Sequence, residues 1–165
     1  MFGADRKFGV NNLFGAAIRY GKDNAKILSS NQSMDAKSLT LNFYGTIAQS
    51  ESNYTNALIG VSVLRIDQKF NDKLTGERNG KQAFAALNFR SKNSFGNLKL
   101  DPSAKISFGV TSLSDYTDFL SNVTTGVNEI YESQMFETGN AAIGFLFHME
   151  PFEIDTGTMR PHGGI

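Results

Sequence analysis

The chain of 165 residues carries 16 Lys and Arg against 16 Asp and Glu, so its net charge is zero and no basic face for nucleic acid is announced. Without a single cysteine, disulfides, thiolate metal sites and a cysteine nucleophile are excluded. No window approaches 18 consecutive apolar residues, which excludes a transmembrane helix but leaves membrane-spanning strands open.

The length suits one domain or part of one, and the mixture is rich in Phe and Gly, with 14 and 16, and poor in Pro, with 3. Residues 2 to 20 lack the apolar run and small-residue cleavage site of a secretory signal, so any export signal is expected upstream. From there on, the dominant pattern is alternation with a period of two, the mark of a strand whose faces meet different surroundings. Phe14, Ala16, Ile18 and Tyr20 oppose Leu13, Gly15, Ala17 and Arg19. In residues 37 to 48, Leu39, Leu41, Phe43, Gly45 and Ile47 share one face, and Ser38, Thr40, Asn42, Tyr44 and Thr46 the other. Residues 57 to 66 alternate too, but both faces are apolar enough that the pattern alone assigns neither. In 82 to 90, Ala83, Ala85, Leu87 and Phe89 oppose Phe84, Ala86, Asn88 and Arg90. In 103 to 111, Ala104, Ile106, Phe108 and Val110 oppose Ser103, Lys105, Ser107, Gly109 and Thr111. Last, Ala141, Ile143, Phe145 and Phe147 oppose Asn140, Ala142, Gly144 and Leu146.

Between these segments, longer polar stretches at 28–36, 70–79 and 115–127 alternate with shorter ones at 50–53 and 92–98. Transmembrane barrels alternate short turns with longer loops in this way. The segments themselves are expected to run about 12 to 16 residues, against about 5 to 6 for soluble strands. Leu39 to Ile47 spans about 27 Å along a strand, or about 19 Å of height once tilted by about 45°. That nearly covers an apolar band about 25 Å tall.

In hydrocarbon every backbone N–H and C=O needs an internal partner, so strands span a membrane only where their sheet closes. Side chains toward lipid are then apolar, and those toward the interior polar, small or charged. The expected lipid-facing residues are Leu39, Leu41, Phe43, Ile47, Leu87, Phe89, Ile106, Phe108, Ile143 and Phe145. The expected lumen-facing residues are Arg19, Thr40, Asn42, Tyr44, Asn88, Arg90 and Lys105. Arg19, Arg90 and Lys105 thereby avoid the cost of about 2 to 4 kcal/mol that a cation meets at the lipid midplane. Some of the other tyrosines suit an interfacial girdle. A soluble β-sandwich or lipocalin-like barrel alternates as well, with its apolar face turned inward. Long segments, alternating loop lengths and small residues on the polar faces stand against it. A parallel β-helix would need a repeat every 20 to 30 residues, and none is seen.

The ordered stretches AIRYGKDNAKI, SLTLNFYGTIA, NALIGVSVLRID, LTGERNGKQAFAALNFR, LKLDPSAKISFGVTSLSDY and FETGNAAIGFLF, followed by GTMRPHGGI, resemble the autotransporter β-domain over nearly the whole chain. The resemblance implies an all-β, antiparallel, up-and-down transmembrane barrel of twelve strands in the bacterial outer membrane. It also implies a passenger segment carried to the cell surface, a helical linker, and insertion by the outer-membrane barrel assembly machinery. Six strands and the start of a seventh at 157–165 are counted, so residues 1–165 are expected to form a partial barrel, with C-terminal strands, passenger and linker outside them. Alone, such a chain is expected to form a curved open sheet with two unpaired edges rather than a closed pore.

Chemical sites are weak. Gly76 to Gln82 (GERNGKQ) lacks the spacer and the Ser or Thr of a phosphate loop and reads as a polar loop tip. His148 and His162 have no neighbouring ligand at metal spacing and read as solvent or turn histidines. Asp115, Asp118, Glu129, Glu132 and Glu137 lack a calcium-loop pattern and read as solvated carboxylates. No serine-hydrolase elbow occurs. No catalytic residue, metal or cofactor is therefore expected, and the partners expected are membrane lipid, the passenger and the assembly machinery, with no nucleic acid. A translocating anchor, a porin or adhesin-type barrel, and a soluble ligand-binding β-barrel remain as function classes.

Overall fold

The computed structural model describes residues 1–9, 11–27, 32–70, 73–118 and 129–164. In chain order the strands are β1 (Phe2–Phe8), β2 (Asn12–Ile27), β3 (Gln32–Ala48), β4 (Asn53–Phe70), β5 (Lys73–Ser91), β6 (Asn93–Phe95), β7 (Leu98–Leu113), β8 (Tyr116–Asp118), β9 (Glu129–Tyr131), β10 (Gln134–Met149), β11 (Phe152–Ile154), β12 (Gly157–Met159) and β13 (His162–Gly164). Every pairing is antiparallel, and the main sheet runs β1-β2-β3-β4-β5-β7-β10-β13, with β6 on β7. Neighbours in the sheet follow one another in sequence, an up-and-down meander. β1 and β13 stand at the edges unpaired with each other, so the sheet is open. Two hairpins, β8–β9 and β11–β12, complete the described residues.

Turn chemistry sets several connections. Ser50 Oγ accepts hydrogen bonds from the N–H groups of Ser52 (3.2 Å) and Asn53 (3.0 Å), closing the turn between β3 and β4. Between β6 and β7 only residues 96 and 97 intervene, and Gly96 takes φ 60°, a left-handed conformation that glycine adopts without steric cost.

The six strand segments read from alternation are all present, inside β2, β3, β4, β5, β7 and β10. Their lengths differ from expectation: these strands run 16 to 19 residues. Most of the polar stretches 28–36 and 70–79 therefore belong to strands, leaving residues 28–31 and 71–72 between them outside the described residues. The expected contrast of long and short connections fails at these two places. Of 115–127, the part from 119 onward also lies outside the described residues. The phosphate-loop look-alike Gly76–Gln82 is strand interior in β5, not a loop tip. β1 is an additional strand, and the expected seventh resolves into β12, paired with β11, and β13, paired with β10.

A single layer has almost no conventional core. Ala17, at 3% exposure, is the one buried hydrophobic residue among the described residues. Ile143, at 89%, and Phe43, Ile59, Ile106 and Phe108, all about half exposed or more, have no second layer packed over them. That is not the arrangement of a soluble sandwich, whose apolar faces meet.

Candidate functional site

The two faces of the sheet are the functional feature, and register decides them. On one face lie Arg19, Thr40, Asn42, Tyr44, Asn88, Arg90 and Lys105, since Arg19 pairs with Thr40, Asn42 with Ala17, and Asn88 with Lys105. Polar side chains bridge neighbouring strands there. Thr40 Oγ1 and Ser62 Oγ lie 2.7 Å apart, Thr46 Oγ1 donates to Asn56 Oδ1 at 2.7 Å, and Gln82 Nε2 donates to Thr111 Oγ1 at 3.1 Å. The Tyr44 hydroxyl reaches over β2 to Asp5 on β1, at 3.3 Å. A hollow of about 660 Å³ spans β2 to β5 on this face, touched by Met1, Arg19, Thr40, Asn42 and Phe84, and a second of about 590 Å³ lies toward the other face, touched by Ile18, Leu39, Leu41, Val61 and Val63. Small residues make room for the rings the polar face carries: a Cβ built at Gly60 would run into the Phe84 ring, and one at Gly15 into Tyr44.

The opposite face carries Leu39, Leu41, Phe43, Ile47, Leu87, Phe89, Ile106, Phe108, Ile143 and Phe145. Residues 57–66, which the pattern left open, are assigned by register: Ile59, Val61 and Val63 join the apolar face, and Leu58, Ser62 and Leu64 the polar one. Taken rung by rung, the apolar stretch is not at one position on every strand. One rung joins Tyr20, Leu39, Val63, Lys81, Ser112 and Met135, and another, three rungs lower, joins Phe14, Gly45, Ala57, Leu87, Ile106 and Ala141. On β2 the apolar stretch runs from Tyr20 down to Phe14, whereas on β10 it runs from Gly139 down to Met149, below Glu137. Its centre thus slides by about three rungs, or ~20 Å at ~3.4 Å per residue, over five strand spacings totalling ~24 Å. A flat slab crossing strands tilted by about 40° gives this slide, and spanning-barrel strands tilt by about 35 to 45°.

Beyond the apolar stretch, the strands continue with charge. On the apolar side Lys22, Lys37 and Arg65 stand on one rung, and Asn24, Asp35, Asp67 and Glu77 on the next. Arg65 pairs with Glu77 at 2.6 Å and with Asp67 at 3.2 Å, Lys37 with Asp67 at 3.6 Å, and Lys69 with Asp35. At the same rim but on the polar face sits Arg78, only 8% exposed. It donates to the carbonyls of Ser114 (2.6 Å) and Glu132 (3.0 Å) and to Gln134 Oε1 (2.9 Å), and its guanidinium lies 5.2 Å from the Tyr116 ring centre. Tyr116 in turn stacks on Tyr131, with centroids 4.8 Å apart. Arg78 thereby pins the β8–β9 hairpin to β5.

The family model for the autotransporter beta-domain matches residues 1–164. The chain belongs to the autotransporter β-domain family. Among solved structures, the domain is similar to the translocator domain of autotransporter NalP from Neisseria meningitidis, with TM-score 0.70, 14% identity, and coverage of 98% of this chain and 56% of that one. It is also similar to the beta domain of the Bordetella autotransporter BrkA, with TM-score 0.63, 14% identity, and coverage of 97% and 64%. This autotransporter β-domain therefore spans about three-fifths of each of those chains. A search of curated protein sequences gave no match.

Several features of the autotransporter β-domain escaped sequence reasoning. Arg78 lies in a stretch that reads as a polar loop from sequence, and Glu137, which reads as a solvated carboxylate, stands on the apolar face opposite Val110. His148 and His162, read as lacking a histidine neighbour, are register partners across β10 and β13. No third ligand-type residue joins them among the described residues. Of the tyrosines paired into the long strands, Tyr20 alone is on the apolar face, while Tyr44 and Tyr54 are on the polar one.

Proposed function

We propose that this chain forms part of an outer-membrane barrel that anchors an autotransporter and carries an N-terminal passenger to the cell surface. The apolar face meets acyl chains, and the polar face, with Arg19, Thr40, Asn42, Tyr44, Asn88, Arg90 and Lys105, lines the interior. The slide of the apolar stretch across β2 to β10 carries this reading, because a flat hydrocarbon slab crossing tilted strands accounts for it in one step. Unmet backbone groups at the β1 and β13 edges are intolerable in hydrocarbon, so in the membrane further strands close the sheet. No chemistry is assigned to the domain itself. Assembly requires a barrel-insertion machinery, and the work of the domain is passage and anchorage.

The test is surface display by the full-length gene product. The expected result is a heat-modifiable band in the outer-membrane fraction, with the segment upstream of residue 1 accessible to added protease on intact cells. Recovery of the folded product from the soluble fraction without detergent would overturn the reading.

A further inference from the structure

The charged rungs above the apolar face have an order that solvation alone does not require. Levelling the sheet by its tilt of about 40° raises each successive strand from β2 by about 3 Å, with about 5 Å per rung. On that scale Lys22, Lys37, Arg65 and Lys81 all stand within about 6 Å of one level, just outside the apolar stretch. Asp35, Asp67 and Glu77 stand about 8 Å further out. Cations lie next to the slab and anions beyond them. Lys22, Lys37 and Arg65 are direct register neighbours, a like-charge row that Asp67 and Glu77 offset at Lys37 and Arg65. The side chains of Lys37 and Arg65 are 42% and 52% exposed, and neither Lys22 nor Lys81 has an ion pair among the described residues. At the opposite border of the apolar face β2, β4 and β5 show Asn12, Thr55 and Ser91, and the one cation paired there among the described residues is Arg6 of the edge strand β1, beside Phe14.

We infer that Lys22, Lys37, Arg65 and Lys81 form a belt that binds the phosphate of an anionic lipid headgroup at one rim of the barrel. The acids beyond the belt orient it: Asp67 and Glu77 hold Arg65 and Lys37 from the outer side, leaving Lys22 and Lys81 for a ligand approaching from the slab. Four cations over four adjacent strands, each about 4.8 Å apart, cover about 15 Å, enough for a lipid bearing two phosphates. Glu137 shares the level but lies on β10, two strands beyond Lys81 in the sheet. The inference rests on the proposed membrane reading, since it needs the apolar face to meet lipid.

The test uses the full-length gene product folded into phosphatidylcholine vesicles with or without a bis-phosphorylated glycolipid, and compares the wild type with the Lys22→Gln/Lys81→Gln double variant. These two lysines hold no ion pair among the described residues, so their loss leaves the ion pairs of the rim in place. Each lysine is expected to contribute about fivefold to glycolipid affinity, so the double variant loses about 25-fold while folding normally in plain phosphatidylcholine. Lys26→Gln, one rung beyond the acids, should change affinity less than twofold. Equal glycolipid affinity in wild type and double variant would overturn the belt. Competition by millimolar inorganic phosphate as strong as that by the glycolipid would overturn its assignment to a lipid. If the wild type enters neither kind of vesicle, the membrane reading fails and the belt with it, a result distinct from normal insertion with unchanged affinity.

Discussion

A charge placed at the centre of the apolar stretch is the sharpest perturbation, because its cost depends on depth and on face together. Levelled by the same tilt, Phe43 lies near mid-height on the apolar side, Val63 lies near its upper border, and Asn42 is the chain neighbour of Phe43 on the polar side. Phe43→Arg should destabilise the folded barrel by about 3 kcal/mol, Val63→Arg by about 1 kcal/mol or less, and Asn42→Arg by less than either of the values expected deep in lipid. Differences of this size are read by denaturant titration of the full-length product in vesicles, following loss of the heat-modifiable band and of tyrosine fluorescence. Both arginines on the apolar face lose some side-chain packing as well, but both faces of a single-layer sheet lose comparable contacts, so packing alone does not produce a gradient with depth. Equal costs for Phe43→Arg and Val63→Arg, or a larger cost for Asn42→Arg than for Phe43→Arg, would refute the slab.

Three further outcomes follow from single contacts. Arg78→Ala removes three hydrogen bonds and the contact with Tyr116, so the β8–β9 hairpin should exchange amide hydrogens at least tenfold faster at Tyr116–Asp118 while the interior of β3 is unchanged; equal protection would dissociate Arg78 from the hairpin. Gly60→Ala drives a methyl into the Phe84 ring and should cost about 1 to 3 kcal/mol, recovered in part by Gly60→Ala/Phe84→Leu, as read in the same titrations. A double-mutant cycle of Thr40→Val and Ser62→Ala should return a coupling of about 0.5 to 1.5 kcal/mol, and a value near zero would mean that water replaces their hydrogen bond.

The faces were legible in the sequence because a period of two survives any register: Leu39, Leu41 and Phe43 share a side wherever β3 pairs. Strand ends were not. Beyond Leu39 the apolar side of β3 continues with Lys37 and Asp35, so the contrast between faces vanishes while the backbone ladder does not, and 28–36 and 70–79 look like loops. β1 was hidden by Arg6, which interrupts the apolar series Phe2, Ala4, Phe8. Both apolar faces of residues 57–66 could be told apart only once Leu39 was seen opposite Val63. The slide and the cation belt exist only in the pairing of strands up to five places apart, and the partners of Arg78 come from 36 to 56 residues away. None of these leaves a local trace.

The central claim, that one flat slab crosses tilted strands, is tested most directly by site-directed labelling, which the absence of native cysteine makes clean. Single cysteines placed through residues 39–47 of β3 and 137–149 of β10 in the full-length product in the outer membrane would be probed with a water-soluble maleimide and with a lipid-phase quencher. The account predicts alternate protection from the maleimide at Leu39, Leu41, Phe43 and at Ile143, Phe145, Phe147, with labelling at Thr40 and Asn42, and with the protected stretch on β10 displaced by about two and a half rungs relative to that on β3. Protected stretches that sit on the same rungs across the sheet, or labelling without alternation, would contradict it.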